Sequence, residues 1–126
     1  MAVRCLIVDD NHAFLEAART LLERQGLTIA GVASTSAEAL RATETLRPEV
    51  VLVDVWLGAE SGLELARQLV ADHGHGATVI LISARSEVDL ADLIALSPAA
   101  GFLAKAELSA DAIQGFLDSP SARRGM

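Results

Sequence analysis

Residues 50–54 read Val50-Val51-Leu52-Val53-Asp54. Four apolar residues in an unbroken row, three of them β-branched, predict a strand covered on both faces. A strand of this kind sits inside a parallel sheet with helices above and below it. Pro48 closes whatever helix comes before, and Asp54 stops the strand on a carboxylate.

The same design recurs along the chain. Arg4-Cys5-Leu6-Ile7-Val8 ends on Asp9-Asp10, Thr78 to Ile82 ends on Ser83, and the short run Gly101-Phe102-Leu103-Ala104 ends on Lys105. Leu27 to Ala33 reads as a further strand, weakened by Gly31. Helix-period segments alternate with these strands. From Asn11, apolar residues at Phe14, Leu15, Ala18, Leu21 and Leu22 keep helical spacing up to Gln25, and Gly26 is the stop. Thr35-Ser36-Ala37-Glu38 has capping-box spacing and opens a helix through about Leu46. Ser61-Gly62-Leu63-Glu64 matches the same pattern and starts a helix to about Ala71, after a loop over Val55 to Glu60. A fourth helix runs from Ser86 to a point before Pro98, and a last one from Ser109 to about Leu117. Five strands alternating with five helices predict an α/β fold. The expected form is a doubly wound five-stranded parallel sheet of flavodoxin-like order 2-1-3-4-5, with helices on both faces.

Composition excludes several classes. The 126 residues suit one domain, and 52% apolar with 21% charged residues is a globular balance. No apolar run approaches the roughly 18 residues of a membrane span, so no membrane role is expected. Met1 leads almost at once into a strand without a secretory pattern, which predicts a cytoplasmic protein. A single cysteine, Cys5, rules out an internal disulfide framework. Net charge is −7, so nucleic-acid binding through this domain is not expected. Neither GxGxxG nor GxxxxGK[ST] is present.

Strand ends in a parallel sheet share one edge, and ligands bind there at the point where strand order reverses. Asp9, Asp10, Asp54, Ser83 and Lys105, the only lysine in the chain, would all gather at that edge. Three carboxylates so close require compensation. Magnesium, which takes oxygen ligands together with phosphate oxygens and waters, supplies it. A carboxylate can then act as nucleophile and form an aspartyl phosphate, with Lys105 neutralising the transferring group and the Ser83 hydroxyl donating a hydrogen bond. Plainer readings stand beside this one. Asp9 and Asp10 can cap the first helix, Asp54 can be a turn residue, Ser83 can mark a helix entry, and Lys105 can be a solvated loop charge. His73-Gly74-His75 reads as loop rather than metal site, and Cys5 as a small buried hydrophobe.

Four motifs in order, each at a strand end, carry a family resemblance: Asp9-Asp10, the run Asp54-Val55-Trp56-Leu57-Gly58-Ala59-Glu60-Ser61-Gly62, Ser83-Ala84, and Gly101-Phe102-Leu103-Ala104-Lys105. Over residues 4 to about 118 the chain resembles the receiver domain of bacterial two-component response regulators. Residues 1-118 then form the receiver and 119-126 a flexible tail or the start of a linker. The resemblance implies phosphorylation of Asp54 by a sensor histidine kinase or phosphotransfer protein. It implies Mg2+ held by Asp9, Asp10, Asp54 and the backbone carbonyl of Trp56. It gives Lys105 and Ser83 contact with the phosphoryl group, and Ser83 and Phe102 the switching role. The output face, also the surface for a homodimer, is the fourth helix, fifth strand and fifth helix, with Leu93, Leu96 and Ile113 on those helices. Such a domain is a phosphoacceptor that assists its own phosphorylation and dephosphorylation rather than an enzyme acting on other substrates. The run Lys105-Ala106-Glu107-Leu108-Ser109 resembles the subfamily with a C-terminal LuxR-type helix-turn-helix, in which the output is transcription regulation.

Three positions depart from the commonest pattern of that family. Gly58 stands where proline is frequent, Phe102 lacks the hydroxyl of a frequent tyrosine, and Ala106 replaces a proline that often follows the lysine through a cis bond. Either a trans Lys105–Ala106 bond with a reshaped loop or a strained cis bond is expected. The competing readings are a phosphorylation-independent pseudo-receiver scaffold and a phosphatase of the haloacid-dehalogenase type. The second of these needs an aspartate where Trp56 stands.

Overall fold

The computed structural model describes residues 3–72, 77–84, 92, 95 and 97–118. Of the fourth helix predicted from Ser86, only Asp92 and Ala95 are described, both helical; Leu93 and Leu96 lie outside the described residues, as do His73, His75 and the tail 119–126.

The strands are β1 (Arg4–Val8), β2 (Thr28–Ala33), β3 (Val50–Asp54), a two-residue pair β4 (Trp56–Leu57) and β5 (Glu60–Ser61), β6 (Thr78–Ser83) and β7 (Gly101–Ala104). Helices are α1 (His12–Arg24), α2 (Ser36–Leu46), α3 (Gly62–Asp72) and a C-terminal helix (Ala110–Asp118). The main sheet runs β2-β1-β3-β6-β7 with every pairing parallel. With the β4–β5 pair set aside, this is the predicted order 2-1-3-4-5. That pair corrects the predicted elements: Val55 to Glu60 is not plain loop, because Trp56 and Leu57 pair antiparallel with Ser61 and Glu60.

The unbroken apolar runs divide their side chains between two cores. Cys5, Ile7, Val50, Leu52, Ile80 and Ile82 face α1 and the C-terminal helix, meeting Leu15, Ala18, Leu22 and Ile113. Leu6, Val8, Val51, Val53, Val79 and Leu81 face α2 and α3, meeting Ala39, Leu65, Ala66 and Leu69. The strand period of two makes this division. Each buried aliphatic side chain stabilises the fold by about 1.5–3 kcal/mol.

Local chemistry sets the element ends. The Thr35 hydroxyl accepts the Glu38 N–H at 3.1 Å and caps α2. Glu38 completes only half of a capping box, because its carboxylate takes the N–H and hydroxyl of Ser34 rather than the N–H of Thr35. Gly26, at φ 103°, ends α1 in a conformation suited to glycine. Where β2 carries Gly31, its register against β1 slips by one residue between Cys5 and Leu6. The C-terminal helix opens on a contact distant in sequence, with Ala110 N–H donating to Gln25 Oε1 at 2.6 Å.

Candidate functional site

Parallel pairing carries β1, β3 and β6 to the same edge. Asp54 is the last residue of β3 and pairs with Ile82, so Ser83 lies one residue beyond it on β6. Ser83 in turn pairs with Ala104, the residue before Lys105. The two acids after Val8 follow β1, which pairs directly with β3, at the same edge. Asp9, Asp54 and Ser83 are the buried polar groups at this edge, at 0, 6 and 1% exposure, while Asp10 is exposed.

The first acid does not cap α1, which disposes of the plainest reading of the pair. Asn11 is the cap, its side-chain oxygen accepting the Phe14 N–H at 3.2 Å. Asp9 instead orients that cap, its Oδ1 accepting the Asn11 N–H at 2.9 Å. Its other oxygen, Oδ2, lies 2.5 Å from Lys105 Nζ. Asp54 Oδ2 is 3.5 Å from the same ammonium, and Asp54 Oδ1 accepts the Trp56 N–H at 3.2 Å. Lys105 is therefore not a solvated loop charge; only 17% of its side chain is exposed.

The Lys105–Ala106 bond is trans, since no described peptide bond is cis. The loop is reshaped as a single 3-10 turn over Lys105–Glu107, closed by Leu108 N–H on the Lys105 carbonyl at 3.3 Å. The turn still presents the ammonium to both carboxylates. Gly58 has φ 60°, which a proline ring, fixed near −65°, cannot adopt. A Cβ at Gly58 would also stand 3.1 Å from Asp10 Oδ2. The departure from proline therefore goes with a different turn, one that brings backbone close to the second acid.

Burial, followed by the charge of Asp9, pushes the Asp54 carboxyl up to about 6. The Trp56 N–H and Lys105 pull the other way and do not cancel it. Burial first, and a neighbouring acid second, thus disfavour the charged form of Asp54 at this edge. One oxygen from each of Asp9, Asp10 and Asp54 lies within 4.8 Å of the others. Asp9 Oδ2, fully buried, meets Lys105 as an ion pair but accepts no well-formed hydrogen bond. A hard cation with oxygen ligands fits that set of donors. Of the remaining predicted residues, Trp56 exposes 46% of its surface, and Phe102 is half-buried against the α2/α3 core.

Two contributors escaped the sequence reading. Phe14 was expected only as an apolar position of α1, yet Lys105 Nζ stands 4.2 Å from the centre of its ring. Gly62 was expected inside a capping match and at the end of the family-like run from Asp54, with no role of its own, yet a Cβ there would overlap the Asp54 carbonyl. The Phe14 contact joins segments remote in sequence, which no local pattern signals, whereas Gly62 lies eight residues after Asp54, where residue type alone does not reveal the close approach.

The model of the response regulator receiver domain matches residues 5–115, and the chain belongs to that family. It is 30% identical over 113 residues to response regulator GacA of Pseudomonas viridiflava, covering 89% of this chain and 52% of that protein. Among solved structures it resembles the signal receiver domain of NarL from Mycobacterium tuberculosis, at 26% identity and TM-score 0.79, over 99% of this chain and 98% of that one. It also resembles a response regulator from Burkholderia pseudomallei solved with a phosphorylated aspartic acid, a calcium ion and citrate. There identity is 26% and TM-score 0.78, over 98% of this chain and 71% of that one. The chain spans about half the length, or less, of the curated relatives it matches.

Proposed function

We propose that this receiver domain takes a phosphoryl group onto Asp54 from the phosphohistidine of a sensor kinase or phosphotransfer protein. The observation that carries the proposal is the meeting of a buried Asp54 carboxylate with Asp9, Asp10 and the only lysine of the chain at one sheet edge. The P–N bond of the donor breaks as a bond from an Asp54 oxygen to phosphorus forms, and the imidazole departs with the electron pair. The Trp56 N–H fixes the rotation of the Asp54 carboxylate. Lys105 neutralises the phosphoryl oxygens, and the Ser83 hydroxyl donates to one of them.

Asp9, Asp10, Asp54 and the Trp56 carbonyl would hold Mg2+, which when bound supplies charge neutralisation of the carboxylates and of the phosphoryl oxygens. The phosphorylated aspartic acid and calcium ion of the Burkholderia protein support this assignment. The pseudo-receiver reading drew on the missing proline and a change of the loop; the loop is reshaped, and the ion pairs Lys105 keeps with both acids support the phosphoacceptor reading over it. Phosphomonoester hydrolysis of the haloacid-dehalogenase type lacks its second aspartate, since Trp56 stands there.

Movement of Ser83 toward the new phosphoryl oxygens, followed by Phe102, would bias the output face expected from the predicted fourth helix together with β7 and the C-terminal helix. That face serves output and homodimer formation. With residues 1-118 as the receiver and 119-126 as tail or linker, transcription regulation in the cytoplasm suits its relatives, with no nucleic acid or membrane bound by the receiver itself. The domain is a phosphoacceptor, not an enzyme acting on other substrates.

Incubation with a small acyl phosphate and Mg2+, followed by intact-mass measurement, tests the reading. Wild type gains one phosphoryl group and Asp54→Asn gains none. Equal labelling of the two overturns it.

A further inference from the structure

A lysine side chain is a flexible stem carrying a compact charge, and it aims that charge only as well as its surroundings hold it. In this chain the residue after Lys105 is alanine and the backbone is an all-trans 3-10 turn, so neighbouring backbone adds little stiffness. Two carboxylates draw the ammonium from one side. From α1, Phe14 supplies a ring face 4.2 Å from the same nitrogen. An ammonium over an aromatic face is attracted by the ring quadrupole, most strongly where water is excluded.

The ring is itself held by the site. Asp9 Oδ1 binds the Asn11 N–H, Asn11 caps the Phe14 N–H, the Phe14 ring meets Lys105, and Lys105 returns to Asp9 Oδ2. Four residues form a closed circuit in which one carboxylate anchors both the lysine and the turn that carries the ring.

We infer that Phe14 is a positioning residue for Lys105: its ring face holds the ammonium over the Asp9–Asp54 edge and thereby sets the rate at which Asp54 is phosphorylated. The kinetic half of this inference rests on the function proposed above; the contact itself does not. Phe14 also packs, half-buried, against the core beneath α1. A purely apolar role would be filled by leucine as well as by tyrosine, whereas a ring-face role would be filled by tyrosine alone.

The single lysine makes the test direct. With that lysine labelled with 13C and 15N and no metal present, the Lys105 side-chain protons of wild type and Phe14→Tyr resonate upfield, shielded by the ring. In Phe14→Leu they return toward the position of a free lysine. With acyl phosphate and Mg2+, Phe14→Leu is phosphorylated roughly 5-fold more slowly than wild type, and Phe14→Tyr stays close to wild type. Trifluorophenylalanine at position 14 keeps the ring shape and weakens its negative face, so it reproduces the slowing even if the leucine variant folds poorly. Identical lysine resonances in wild type and Phe14→Leu overturn the contact. Unchanged phosphorylation in the leucine and trifluorophenylalanine proteins overturns the positioning role. A wild type that accepts no phosphoryl group overturns the proposed function instead, and the lysine resonances still decide the contact.

Discussion

The Cα of Gly62 rests against the carbonyl oxygen of Asp54, and a Cβ at that position would overlap the oxygen and the carbonyl carbon behind it. The contact lies at the start of α3, where Gly62 N–H also donates to the Val55 carbonyl at 2.9 Å. The backbone of the phosphoacceptor candidate is therefore clamped by the first residue of the next helix. Neither atom can yield cheaply, since both are main chain.

Gly62→Ala is expected to destabilise the fold by about 3 kcal/mol, through overpacking and backbone displacement. Gly115→Ala is the matched control. It lies in the C-terminal helix with nothing within 4 Å of its would-be Cβ. That change stabilises by roughly 0.5–1 kcal/mol through helix propensity. Urea unfolding of the two variants beside wild type reads both signs.

Asp54→Asn is expected to raise the stability of the metal-free domain at neutral pH by on the order of 1 kcal/mol. The carboxylate is buried beside Asp9, and the balance of its surroundings disfavours its charge. Asparagine keeps an oxygen to accept the Trp56 N–H and removes that charge. A lower urea midpoint than wild type would contradict the electrostatic account of the site.

Lys105→Ala is expected to cost about 3 kcal/mol, because Asp9 is then a fully buried carboxylate without its cation. Adding Asp9→Asn to that variant recovers much of the loss, since the uncompensated charge is gone. The double-mutant cycle measures the coupling. Additive losses would show that the ion pair contributes nothing beyond its two members.

Cys5 is fully buried in β1, and burial pushes its thiol up to about 12. At mildly alkaline pH the folded protein is expected to react with thiol reagents no faster than it unfolds, while the chain in concentrated urea reacts at once. Rapid labelling of the folded state would mean that β1 opens locally.

Much of the fold was legible because burial on two faces leaves a plain mark. Val50 to Val53 and Val79 to Ile82 can be apolar at every position only if both faces are covered, and the two cores divide those runs residue by residue. The Thr35 cap and the Gly26 stop are equally local, and each sits where its pattern placed it. The β4–β5 pair was not legible. Two-residue strands are too short to establish a period, and the pairing of Leu57 with Glu60 depends on a turn through Gly58.

Within the candidate site, the sequence by itself determined which residues would reach one edge: Asp9, Asp10, Asp54, Ser83 and Lys105 each end or follow a strand, and parallel strands deliver their ends together. Tertiary structure alone decided how they act on one another. It made Asn11 rather than an acid the helix cap, aimed Lys105 at Asp9 and Asp54 without a proline behind it, and set Phe14 beneath the ammonium. The physical reason is one of range. Strand ends follow from hydrophobic burial along a local stretch of chain, whereas distances between charges depend on packing between segments far apart in sequence, 51 residues for Lys105 and Asp54 and more for Lys105 and Asp9, which no local pattern encodes.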